Sequence, residues 1–170
     1  MLSTIIRLCS WIIVAWIAKI FLFSLPYKFS GHPDTVHIFS TIGQWIGDVF
    51  NQEIGAWFTQ YGAIAVGATE LIVSMVLLIP IILLFLSKLF DYKPVVDVRW
   101  FHCLGGFAAS IIMLGAVFFH LASPLGIVVQ HEGKEDGGSL FYSAVSILIL
   151  GMVIAIANYS LIKNKVNVSW

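Results

Sequence analysis

Four stretches of the chain are apolar around the whole circumference of a helix: approximately Ile5–Leu25, Ala63–Leu86, Phe101–Leu121 and Leu140–Leu161. Each reaches the ~20 residues needed to cross about 30 Å of hydrocarbon. The first has a longer apolar core than a secretory signal and no small-x-small cleavage site after it, so it reads as a retained helix. Between the first and second stretches the pattern changes. From Pro33 to Phe50, the apolar residues Val36, Phe39, Ile42, Trp45, Ile46, Val49 and Phe50 recur at three- and four-residue steps. Ser40, Thr41, Gln44 and Asp48 take the other side. This period predicts an amphipathic helix with Pro33 in its first turn, lying in the membrane interface as a lid on the bundle or as a gate over a site. The segment 44–62 reads as a long loop insertion. The expected fold is an all-α membrane protein, a four-transmembrane-helix bundle forming a single integral domain over residues 1–170.

Loop charges orient the bundle. Arg7, Lys88, Lys93, Arg99, Lys163 and Lys165 fall on one side of the four stretches. Lys28 and Lys134 fall on the other, among Asp34, Asp48, Glu53, Glu132, Glu135 and Asp136. An excess of Lys and Arg marks the cytoplasmic side. Both termini and the 87–99 loop are therefore expected inside, with 26–62 and 122–139 outside.

Composition supports the same class. Apolar residues are 59% of the 170 and charged residues 11%, against roughly 25% charged in soluble domains. The formal net charge is zero, so the chain lacks the basic footprint of a nucleic-acid binder. The expected surroundings are the lipid bilayer and other membrane proteins or further copies of the chain.

The candidate chemistry lies in the few polar residues within the apolar stretches. Glu70 is about seven residues, roughly 10 Å, into the second stretch, with Ala63, Gly67 and Ser74 on its face to admit a neighbouring helix. An ionisable group at that depth is costly unless paired. Lys19, near the outer end of the first stretch, is the natural partner, and its alternative is to snorkel to the headgroups. In the third stretch Gly105, Ala109, Met113 and Ala116 form a small-residue stripe leading to His120, either a structural hydrogen-bonding group or a ligand contact. Ser139, Ser143 and Ser146 line the outer half of the fourth, and Asp136 precedes it where a carboxylate complements the helix dipole. The polar cluster thus belongs to the outer half, and the inner half shows little comparable chemistry.

Cys9 and Cys103 lie near cytoplasmic helix ends without a Cys-x-x-Cys, which disfavours a thiol–disulfide oxidoreductase. His102 and His120 are eighteen residues apart, about 27 Å along a helix, and cannot share a metal. His131, Glu132, Glu135 and Asp136 read as a solvated acidic turn. No metal site and no tightly bound cofactor is expected, although a quinone or a lipid fits the outer pocket.

Short motifs then suggest a family. "YKFSGHPDTVHIFSTIG" resembles the K-F-x-G-x-P segment after the first helix of DoxX-like membrane proteins. "GATELIVSMVLLIP" resembles their glutamate-bearing second helix, "MLGAVFFHL" their third helix with its histidine, and "DGGSLFYSAVSILIL" their entry to the fourth. The motif positions are Lys28, Phe29, Gly31, Pro33, Glu70, His120 and Asp136. The resemblance implies a bacterial inner-membrane bundle and quinone-linked or oxidative-stress membrane complexes; the 44–62 segment and Lys19 depart from it. The expected function is a scaffold or accessory subunit of a membrane complex, with an outer pocket built on Glu70, His120, Lys19, Lys28 and Asp136. The alternatives are a quinone- or small-molecule-binding component of a membrane oxidoreductase and a small proton-coupled carrier. As an isolated chain it reads as a non-enzyme.

Overall fold

The computed structural model describes residues 2–90 and 97–167. Five helices follow in order: α1 (Leu2–Ser30), α2 (Pro33–Val49), α3 (Gln52–Leu89), α4 (Arg99–Ala122) and α5 (Ser139–Asn167). A two-residue-stranded hairpin, β1 (Gln130–His131) with β2 (Lys134–Glu135), sits between α4 and α5. Its turn residues Glu132 and Gly133 both have left-handed φ, 51° and 75°, as a tight two-residue turn requires. Lys93 and the rest of 91–96, within the 87–99 loop, lie outside the described residues. Among the described residues, α1, α3, α4 and α5 are long and apolar enough to cross a membrane, so the chain is an all-α, multi-pass membrane protein. A helix is the form a hydrocarbon solvent imposes, because it satisfies every backbone group within one segment. Phe23, Ile12, Phe85 and Phe107 are among many large apolar side chains exposed on the outside, a surface suited to lipid and not to water.

The spanning helices form a ring in the order α1, α3, α4, α5, with α4 and α5 in the most extensive contact and α1 against α5 in the least. The main core joins Val14, Ile17 and Phe21 of α1, Val73 and Leu77 of α3, Ala109 and Met113 of α4 and Ala144, Ile147 and Ile154 of α5. Glycines set the close crossings: a Cβ on Gly106 would lie 2.6 Å from the Gly151 carbonyl, and one on Gly151 would lie 2.6 Å from the Gly106 carbonyl.

One expectation is corrected here. The segment 44–62 is not a loop: α2 runs to Val49 and α3 begins at Gln52, eleven residues before the predicted start. Asn51 caps α3 by accepting from the backbone N–H groups of Glu53 (2.8 Å) and Ile54 (3.1 Å). At 38 residues, α3 measures about 57 Å, well beyond about 30 Å of hydrocarbon. The predicted amphipathic helix forms, and it packs along the N-terminal half of α3. Gly43 faces Gly55 and Thr59, and Gly47 faces Gln52 and Gly55, so close that side chains on Gly43 or Gly55 would strike backbone. The apolar face of α2 makes a second core, with Ile42 and Ile46 against Leu125 and Val129, and Trp45, Phe58 and Phe119 around them.

The inner half also carries more chemistry than expected. Asn158 donates to Ser10 Oγ (2.9 Å), and both are buried. His102 is buried edge-on to Trp11 (4.7 Å between ring centres). These residues were hidden in the sequence because a lone Ser, Asn or His scarcely lowers the hydropathy of a long apolar run.

Candidate functional site

Between the four spanning helices, and roofed by α2, lies a cavity of about 650 Å³. Most of its wall is apolar, with Ile20, Phe21, Ile42, Ile112, Met113 and Phe119 among the lining residues. Glu70, Lys28, His120, Lys19 and Asp136 all line it as well. All five sequence-predicted site residues therefore border one space, but their pairing differs from expectation.

Glu70 is 2% exposed, and its partner is Lys28, not Lys19. Lys28 Nζ lies 2.5 Å from Glu70 Oε2. Ser24 Oγ completes a triangle, accepting from Lys28 Nζ at 2.8 Å and donating to Glu70 Oε2 at 2.8 Å. The backbone explains the exchange of partners. α1 runs through Pro26 to Ser30, so Lys28 belongs to the helix rather than to the outer loop, one turn beyond Ser24 on the same face. Gly67, one turn before Glu70, has Phe29 and the Lys28 Cβ where a side chain would sit. The small residue draws the end of α1 onto α3 at the level of the carboxylate. Lys19 is nine residues, about 13 Å, further down α1. Its ammonium stands 5.8 Å from the centre of the Trp16 ring, a cation–π contact with an adjacent turn. It does not reach Glu70.

His120 is buried, with Nδ1 2.6 Å from the Gly126 carbonyl. A carbonyl only accepts, so Nδ1 carries a proton, and in the neutral ring Nε2 is the acceptor. The small-residue stripe beneath it packs inward as predicted, with Gly105, Ala109 and Met113 buried.

Asp136 ties the α4–α5 connection together. One carboxylate oxygen accepts from the N–H groups of Val129 (2.8 Å) and Gly138 (3.0 Å), the other from that of Leu140 (3.0 Å). Burial alone would push its carboxyl up, but the N–H groups of Leu140, Gly138 and Val129 with the Ser139 hydroxyl outweigh it and hold it below the usual carboxylate range. This is the helix-terminus role expected from sequence, extended to a loop clasp.

At the roof, Asp34 in the first turn of α2 meets His131 of the hairpin, Nδ1 to Oδ1 at 2.9 Å. The hydrogen bond from His131 holds the Asp34 carboxyl below its ordinary range. His37 stacks on His131 with ring centres 4.6 Å apart, while His32 caps α2 by accepting from the Asp34 N–H (3.3 Å). Sequence reasoning passed over Ser24, Asp34 and the His37–His131 stack. The Ser24–Lys28 spacing of four was readable; the clasp joins residues 97 positions apart and was not. Among the described residues no group of three or more His, Cys, Asp or Glu is placed to hold a metal.

Comparison of the chain with family models, with curated proteins and with solved structures gave no match.

Proposed function

We propose that this protein binds a membrane-soluble small molecule, of quinone or lipid type, in the cavity beneath α2, and that it serves a membrane redox complex as a binding subunit. The observation that carries the reading is a buried Lys28–Glu70 pair on the wall of an apolar cavity of about 650 Å³. That volume falls within the roughly 300–1,000 Å³ typical of ligand sites, which join apolar walls to a few convergent polar groups. A buried ion pair is a poor way to stabilise a bundle, since desolvation offsets much of its attraction. Its place beside an open space inside a membrane protein accords with a role in recognition. The cavity's acidic groups are already engaged, Glu70 by Lys28 and Asp136 by backbone N–H groups, which suits binding better than catalysis. The bacterial inner membrane and cytoplasmic termini belong to this proposal, on the loop charges and the DoxX-like motifs.

A second reading, a scaffold for partner membrane proteins, draws on one surface. Ile54, Trp57 and Tyr61 are exposed at helical spacing along the outer part of α3, with Phe50 exposed just before it, an apolar ridge available to another helix.

Native mass spectrometry of gently extracted protein separates the two. Gly115 lines the cavity, and a Cβ there meets nothing within 4 Å, so Gly115→Phe fills the space. The ligand reading expects a co-purifying small molecule that this substitution removes. A bare chain whose only companion is a protein lost on Trp57→Ala would favour the scaffold instead.

A further inference from the structure

The seams around the cavity differ in tightness. α4 and α5 are locked through Gly106 and Gly151, and α3 packs on both α1 and α4. The seam between α1 and α5 is the slackest in the ring. At its middle it is closed by the hydrogen bond from Trp16 Nε1 to Ser146 Oγ, 3.0 Å. On the α2 side of that bond the wall is made by Phe23 and Tyr27 of α1 and Leu140 and Ser143 of α5. Phe23, Tyr27 and Leu140 line the cavity and are also 73%, 53% and 45% exposed, more than an enclosed wall would leave them. Side chains that do both mark the rim of an opening. A rim of mainly apolar and aromatic groups on a spanning surface faces lipid; its charged or polar points include Asp34 and Ser139 at the outer corner and Lys19 at the lower lip.

The charges deep in the opening are engaged. Glu70 and Lys28 neutralise each other; Asp34 is held by His131 and Asp136 by backbone N–H groups. Lys19, at the lower lip, turns its ammonium over Trp16. Beside the ion pair, Lys28 and His120 keep hydrogen-bonding capacity. An ammonium has three N–H bonds, and Lys28 directs two of them to Glu70 and Ser24. In the neutral ring His120 Nε2 is an acceptor, since Nδ1 serves Gly126. Around the Lys28–Glu70 pair and a neutral His120 the wall thus offers a donor and an acceptor without net charge, and an ionic headgroup would be stranded there in a low-dielectric space.

Resting on the ligand-binding reading above, we infer that the cavity takes an uncharged amphiphile whose head carries a hydroxyl or carbonyl group, and that it enters sideways from the bilayer through the gap between α1 and α5. The ligand approaches along hydrocarbon, passes between Phe23 and Leu140, and turns its head toward Lys28 and His120 while its chain stays against Ile112 and Met113.

Photolabelling of protein reconstituted in liposomes tests both halves, using three probes with the same diazirine-bearing chain: an alcohol, a fatty acid and an amine. The alcohol is expected to label saturably around Phe23, Leu140 and residues 112–116. It should be preferred to the acid and the amine by about tenfold, the equivalent of about 1.4 kcal/mol. Leu140→Trp, at an exposed position, narrows the gap and leaves Glu70, Lys28 and His120 untouched; it should slow labelling several-fold with the melting temperature unchanged. Ser143→Trp is the second variant, so that the test survives misfolding of either. Equal or stronger labelling by the acid or amine overturns the ligand class. An unchanged rate in the folded Trp variants, with acceleration on Asp34→Ala, overturns the sideways route in favour of entry past the roof. If none of the probes labels the cavity while all label the lipid-facing surface, the ligand-binding reading itself falls, and this inference with it.

Discussion

Glu70 keeps company at the middle of α3 because Gly67 leaves room for the end of α1. Removing one member of such a pair leaves a charge uncompensated in a low-dielectric setting, at a cost on the order of 3 kcal/mol or more. Glu70→Ala and Lys28→Ala should therefore each lower the melting temperature in detergent, and the double variant should recover part of the loss. Lys19→Ala combined with Glu70→Ala should be additive, because Lys19 contacts Trp16 instead. Non-additivity at Lys19 and additivity at Lys28 would reverse the assignment. Asp136 gives a pH signature. Its folded-state carboxyl titrates below the ordinary 3.8, so its contribution to stability is complete above that value and is lost as pH falls through the depressed one. Wild-type melts should weaken on acidification below about pH 4. Asp136→Asn should flatten part of that slope; an unaltered slope would place the loss in other carboxylates.

At the scale of elements, the α2–α3 hairpin depends on backbones in contact. A Cβ on Gly55 would meet the Gly43 carbonyl and the Gly47 backbone, neither of which can rotate away. Gly55→Ala should undock α2, seen as faster amide exchange over residues 35–47 and a lower melting temperature. Gly115→Ala is the control: its Cβ meets open space, and replacing a helical glycine should be neutral or stabilising by about 0.5–1 kcal/mol. Equal losses from the two would show that α2 is held by its apolar face alone. The segment 44–62 was read as a loop because Gly, Asn and Gln break the apolar run. In the structure Asn51 is a cap, and the glycines at 43, 47 and 55 are contact points between helices. A glycine that ends a helix and one that admits a neighbour look alike until the neighbour is known.

The whole molecule has an orientation that the bundle geometry alone does not determine. The six-to-two distribution of basic residues is the ground for the proposal that both termini lie in the cytoplasm. Single cysteines at Asn164 and Gly133, in a background lacking Cys9 and Cys103, report it. A membrane-impermeant maleimide applied to intact cells should label Gly133→Cys and spare Asn164→Cys. The reverse pattern would invert the topology. The same background tests the thiols: Cys9 is exposed and Cys103 half-buried, and both are free, so replacing the two by Ala should leave the melting temperature nearly unchanged.

The sequence by itself determined the four spans, the amphipathic α2 and the presence of costly polar groups at Glu70 and His120. Each depends on local quantities, namely apolar length, a 3.6-residue period and the penalty for an ionisable group in hydrocarbon. The partner of Glu70 was decided only by tertiary structure. Lys19 and Lys28 are both within the α1 region, and the choice between them depends on whether α1 continues through Pro26 and on the height at which it crosses Gly67. The cavity, the gap beside Phe23 and the Asp34–His131 clasp arise in the same way. They depend on how far apart helices stand and how each is rotated, which is set by the summed packing of many side chains from distant parts of the chain.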